Sequence, residues 1–129
     1  MRVHHVGYLV KKLERAKGAF ERLGYEVQGE TTRDEVRGID ILFMKNGHEV
    51  IELVSPYREG SHVEGIMKRT GNAPYHICYI SSELDKDVQA LSENGYVIVH
   101  EPLAAPAICG KRVAFLMNAA IGLIEIVEE

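Results

Sequence analysis

Apolar and polar positions along the chain follow two different periods, and the switches between them mark the elements. Residues 3–10 are dense in β-branched and aromatic side chains, as are residues 76–80, and a strand is predicted at each place. Leu13, Ala16, Phe20 and Leu23 recur at helical spacing and stop at Gly24, a residue suited to ending a helix. Leu84, Val88 and Leu91 repeat that apolar face, with Ser82 and Asp85 spaced as a capping box at its start. Residues 24–27 and 95–98 then read as returning strands. Residues 39–44 and 50–54 flank Asn46-Gly47, a dipeptide that tolerates the positive φ of a tight hairpin turn. Residues 113–117 and 123–127 form the counterpart of that hairpin.

These parallels are an internal repeat. A shift of 71 residues lays His5-Val6-Gly7-Tyr8-Leu9 over His76-Ile77-Cys78-Tyr79-Ile80, and pairs Gly24-Tyr25 with Gly95-Tyr96. A shift of 72 pairs Gly38 with Gly110 and Phe43 with Phe115, and one of 73 pairs Ile51-Glu52-Leu53-Val54 with Ile124-Glu125-Ile126-Val127. One-residue drifts are what small loop insertions between elements of fixed length produce. The order is therefore βαβββ, twice, an α+β fold with module one at 1–56, a linker at 57–74 and module two at 75–129. The linker carries Gly60, Gly65, Gly71 and Pro74, and Ser61 with Glu64 suggests a short capped helix before Ile66 and Met67.

In each module the first strand carries a histidine and the last a glutamate. Strand side chains alternate between faces, so Glu52 points away from Ile51 and Leu53, and Glu125 away from Ile124 and Ile126. An unpaired carboxylate on a strand otherwise suited to burial is costly, so it faces water, a cation or a metal. A lone His5 would read as a structural histidine and a lone Glu52 as a solvated one. Their joint recurrence as His76 and Glu125 instead points to one site. Imidazole and carboxylate together suit divalent zinc, nickel, cobalt, manganese or iron. His4, next to His5, is expected on the opposite face, and His48, just past the hairpin turn, is expected to be exposed. His62 and His100 have no repeat partner.

Bulk properties narrow the function. The 129 residues are 46% hydrophobic, enough for one domain with a real core. A net charge of -4 advertises neither a general nucleic-acid surface nor a membrane surface. Lys11, Lys12, Arg15 and Arg22 read as a solvated helix face, or as an attraction for a phosphate-bearing substrate such as a coenzyme A thioester. The start of the chain lacks a signal-peptide pattern, and no stretch approaches the ~18 apolar residues of a membrane helix. Cys78 and Cys109 form no CxxC or zinc-knuckle spacing, and Cys78 reads as a small core hydrophobe. A reduced, cytoplasmic setting is the expectation.

The stretches His5-Val6-Gly7-Tyr8-Leu9-Val10, Ile51-Glu52-Leu53-Val54-Ser55-Pro56, His76-Ile77-Cys78-Tyr79 and Gly122-Leu123-Ile124-Glu125-Ile126-Val127 resemble the four metal-ligand strands of the vicinal oxygen chelate superfamily. The similarity spans nearly the whole chain and is strongest to its methylmalonyl-CoA epimerase and glyoxalase I branches. It implies paired βαβββ modules in an open, cupped mixed sheet, and a divalent ion (Zn, Co, Ni or Mn) held by His5, Glu52, His76 and Glu125. It also implies a substrate that chelates this ion through neighbouring oxygens, and a homodimer. The linker and Gly110-Lys111-Arg112-Val113-Ala114-Phe115-Leu116 resemble epimerases, whereas the Asp-Pro-Asp-Gly turn usual in glyoxalase I is replaced by Asn118-Ala119-Ala120-Ile121-Gly122. The epimerases' further acid/base glutamate falls near Glu35, one residue out of register. The implied chemistry is proton transfer α to a carbonyl through a stabilised enolate, with Glu125 as base and Glu52 as ligand and partner acid. The substrate is then an acyl-CoA thioester. Isomerisation of a glutathione hemithioacetal is the alternative, and a non-catalytic small-molecule-binding protein is a second.

Overall fold

The computed structural model describes residues 1–129. Its elements are β1 (Arg2–Leu9), α1 (Leu13–Glu21), β2 (Glu26–Asp34), β3 (Ile39–Asn46), β4 (Glu49–Pro56), α2 (Glu64–Thr70), β5 (Ala73–Ser81), α3 (Leu84–Ser92), β6 (Val97–Ala104), β7 (Arg112–Asn118) and β8 (Gly122–Glu128). A single 3-10 turn, Pro106–Ile108, precedes β7. The eight strands form one mixed sheet in the order β2-β3-β4-β1-β5-β8-β7-β6, which is the doubled βαβββ that the repeat predicts. Chain contacts divide it into two compact units. One is Val6–Tyr75; the other joins Met1–His5 to His76–Glu129, so the division falls inside β1.

In the unit Val6–Tyr75, β1 pairs in parallel with β4, Gly7 opposite Glu52, while β4 pairs antiparallel with β3, Glu52 opposite Phe43. One face of these strands presents Leu42, Met44, Ile51 and Leu53, all buried, to the α1 face of Leu13, Ala16 and Phe20. Tyr8, Phe20 and Tyr25 stack edge-on there, at ring-centre separations of 5.0 and 5.2 Å. The opposite alternation places Glu52 on the other face. Helix α1 ends at Glu21, two residues short of the apolar pattern, and the chain turns through Gly24 at φ +97°. Leu23 therefore lies in the turn and is 69% exposed, where a place on the helix's apolar face was expected.

The linker helix is present, but it is not capped as expected. Ser61 offers Glu64 its backbone carbonyl, and the Glu64 carboxylate accepts from the Gly60 N–H at 3.0 Å. The bend between β2 and β3 packs beneath this linker. Asp34 accepts from the Arg37 backbone N–H and guanidinium, and Arg58 donates from Nη2 to the Glu35 carbonyl at 2.7 Å. Gly38 sits in this contact at φ +72°, where a Cβ would lie 2.8 Å from Arg58 Cζ and 3.0 Å from Ser61 Cβ. Both positive φ and close approach call for glycine here. Gly38→Ala is expected to cost about 1–3 kcal/mol of stability, read as a lower midpoint of urea unfolding. An unchanged midpoint would contradict this packing.

The other unit repeats the scheme. β5 pairs in parallel with β8, Cys78 opposite Glu125, and β8 pairs antiparallel with β7, Glu125 opposite Phe115. Thus Gly7, Glu52 and Phe43 have Cys78, Glu125 and Phe115 as counterparts, the pairings implied by shifts of 71, 73 and 72 in the sequence. Leu84 and Val88 of α3 are buried against Ala114, Leu116, Ile124 and Ile126. The start of α3 differs from the expected Ser82–Asp85 box. Ser81 Oγ accepts from the Glu83 N–H at 3.0 Å and donates to Asp87 at 2.5 Å. Asp85 is instead engaged by Arg112, which spans α3 and β8 through Asp85 and Glu128. The guanidinium holds the Asp85 carboxyl below its ordinary range, and the Arg112 backbone N–H, helped by the guanidinium, does the same for Glu128. The turn before β8 is closed by Asn118, whose side-chain oxygen accepts from the Ala120 N–H at 2.9 Å. No helix is long and apolar enough to cross a membrane.

Candidate metal centre

Within the unit Met1–His5 with His76–Glu129, three of the expected donors meet. His76 and Cys78 share a face of β5 by alternation, and Glu125 rises beside Cys78 from the neighbouring parallel strand. Glu125 Oε2 lies 3.0 Å from His76 Nε2 and 3.1 Å from His5 Nε2, and the two Nε2 atoms are 3.3 Å apart. All three side chains are buried, with exposures of 1% for His5, 4% for His76 and 3% for Glu125. Phe115 closes one flank, with its ring edge-on to His76 at 5.4 Å between centres, and His100 lies beyond it at 6.0 Å from Phe115.

The triangle discriminates between a hydrogen-bonded cluster and a ligand set. Despite the short separations, Glu125 Oε2 has no hydrogen bond of acceptable geometry, so the distances and the angles point different ways. Convergence of lone-pair atoms on a common point gives that combination. Ligands about 2.1 Å from an ion lie about 3.0 Å apart at right angles and about 3.4 Å apart at tetrahedral angles. The observed edges of 3.0, 3.1 and 3.3 Å fall in that interval. The donor set therefore fits a divalent cation, and these residues form a buried His/Glu cluster able to hold one. Burial alone would push the Glu125 carboxyl up, but the imidazoles of His5 and His76 outweigh it and hold it below the usual carboxylate range.

The remaining candidates are distributed as follows. Glu52 belongs to the unit Val6–Tyr75, where it is 5% exposed in the middle of β4. Glu35 lies in the bend after β2 and its side chain is exposed, while its backbone carbonyl serves Arg58. His48 is exposed in the hairpin turn, as expected, and His62 is exposed in the linker. Cys78 is wholly buried in an apolar cluster with Ala105, Val113 and Val127, and burial pushes its thiol up to about 12. It is the core hydrophobe the sequence suggests, and it borders the cluster besides.

His4 departs from expectation. Strand alternation predicts the face opposite His5, yet its Nδ1 lies 2.7 Å from His5 Nδ1, with the rings edge-on and 5.0 Å apart. Alternation fixes where a Cβ leaves the strand, not where a ring swings at a strand's exposed beginning. Phe115 enters the sequence pattern only as the repeat partner of Phe43. Its signal was its repeat partner Phe43, since both lie opposite a site glutamate.

The comparisons with known proteins identify the family and match the fold. Residues 4–115 match the Glyoxalase/Bleomycin resistance protein/Dioxygenase superfamily, and the chain belongs to that family. An uncharacterised Bacillus subtilis protein, YwkD, is 31% identical over 120 residues, covering 90% of this chain and 88% of its own. The mitochondrial methylmalonyl-CoA epimerase of Bos taurus is 30% identical over 123 residues, covering 94% of this chain and 69% of the epimerase. A Streptomyces coelicolor methylmalonyl-CoA epimerase, solved in complex with 2-nitronate-propionyl-CoA, superposes with a TM-score of 0.84 at 26% identity. That match covers 100% of this chain and 94% of the other.

Proposed function

We propose that the chain is a divalent-metal-dependent enzyme that moves a proton α to a thioester carbonyl, and that His5, Glu52, His76 and Glu125 form its metal site. The observation that carries this reading is the buried triangle of His5, His76 and Glu125, in which Glu125 Oε2 stands 3.0 and 3.1 Å from the two imidazoles without a hydrogen bond to either. Glu52 is added by repetition. His76, Cys78 and Glu125 stand to one another along β5 and β8 as His5, Gly7 and Glu52 stand along β1 and β4. In the first set that relation brings carboxylate and imidazole to 3.0 Å, and the same register supports the second.

A divalent ion at these donors supplies positive charge where an enolate oxygen develops. The chain's residues supply the rest. Glu125 is held ionised in a buried setting and takes the α-proton, and return of a proton to the opposite face by Glu52 inverts the centre. Phe115 and the apolar side chains around Cys78 exclude water, so the proton is passed between fixed groups. Glu35, exposed at the bend, enters only as an acid/base group brought in with substrate. The epimerase relatives favour an acyl-CoA thioester, with Lys11, Lys12, Arg15 and Arg22 available to its phosphates.

The test is solvent deuterium incorporation at Cα of methylmalonyl-CoA, run beside lactoylglutathione formation from the hemithioacetal, both with added metal. Exchange without lactoylglutathione formation is expected. Lactoylglutathione formation alone would assign the other reaction to the same donors. Inactivity on both with metal bound would point to a different chelating substrate.

A further inference from the structure

Two kinds of short contact meet at His5, and their lengths separate their roles. On its Nε2 side the neighbours stand at 3.1 and 3.3 Å, the spacing of co-ligands. On its Nδ1 side the neighbour is His4 Nδ1 at 2.7 Å, which is a hydrogen-bond length and too close for two ligands of one ion at about 2.1 Å and right angles. Two facing ring nitrogens at that distance share one proton. If Nε2 of His5 is to offer a lone pair to a cation, the proton lies on its Nδ1, and His4 Nδ1 must be the acceptor with its own proton on Nε2.

We propose that His4 is a positioning residue for the metal site: it accepts the Nδ1–H of His5, fixes that ring's tautomer and turns its Nε2 towards His76 and Glu125. The inference rests on the metal reading above. The position equivalent to His4 in the second module is Tyr75, which carries a phenol in place of an imidazole. The two histidine ligands are therefore inequivalent, with His5 oriented by its chain neighbour. Ligands oriented in this way typically lose about 10–100-fold in metal affinity when the partner is removed.

The experiment measures Zn²⁺ and Co²⁺ affinity of the full chain by competition with a chromogenic chelator, and records the visible spectrum of the Co²⁺ form. His4→Phe keeps a flat ring and removes the acceptor; His4→Asn puts an amide oxygen near the position of Nδ1. The expected result is about a 10–100-fold weaker affinity for His4→Phe with an altered Co²⁺ spectrum, and recovery of most of both in His4→Asn. Affinity of His4→Phe within twofold of the unsubstituted chain would overturn the proposal. Equal losses in both variants would also overturn it, since only general damage to the strand would explain them. Failure of the unsubstituted chain to bind either ion would instead remove the metal reading itself, and so separates the two.

Discussion

Glu125→Gln is expected to lower Cα proton exchange by about 10²–10⁴-fold at saturating metal, the range a positioned general base contributes. The substitution is nearly isosteric, so Phe115 opposite it and the apolar neighbours of Cys78 keep their packing. What it removes is a charge kept in a buried place. The Glu125 carboxylate stays ionised only because two imidazoles at 3.0 and 3.1 Å outweigh the cost of its burial. An amide there can still coordinate through oxygen, but it cannot take a proton. Exchange rates measured across a metal titration separate the two effects, because weaker binding is overcome by added metal and loss of the base is not. A rate at saturation within about threefold of the unsubstituted chain would reassign the base, with Glu52 next in line.

His76→Ala is expected to weaken divalent-metal binding by more than about 100-fold, beyond what loss of a ligand's hydrogen-bond partner costs. Its consequence in the metal-free protein has a definite sign. Glu125 is held below its ordinary range in the folded chain, so it contributes stability above the unfolded carboxylate value of about 4.3 and loses it as pH falls through the depressed folded value. Removing one of the two imidazoles takes away part of that contribution. The variant should unfold at lower urea than the unsubstituted chain at neutral pH, and the gap should narrow on acidification. Urea midpoints at several pH values, in chelator, check this; a gap that widens towards acid would contradict it.

Much of this was legible because the chain states its architecture twice. A single His5 or Glu52 is uninformative, but shifts of 71, 72 and 73 residues align strand, hairpin and glutamate together. They reappear as the parallel pairings of Gly7 with Glu52 and Cys78 with Glu125. Strand alternation then put each glutamate on the face away from the helices. What remained hidden depended on contacts no period encodes. The entry to α3 is held by Ser81, not Ser82, because that hydroxyl serves both the Glu83 N–H and Asp87. Leu23 follows the helical spacing but falls past the end of α1 and is exposed. Glu35 is near the expected place in sequence, yet the bend held by Asp34, Arg37 and Arg58 leaves its side chain in solvent. His4 follows strand alternation in name only, since its ring reaches His5.

The metal centre is the claim on which the rest depends, and metal content tests it most directly. Protein purified without chelator and exchanged into metal-free buffer should retain close to one divalent ion per chain by elemental analysis, and lose it on His5→Ala or His76→Ala. A folded chain that carries no stoichiometric metal, or that keeps its metal when both histidines are replaced, would contradict the account.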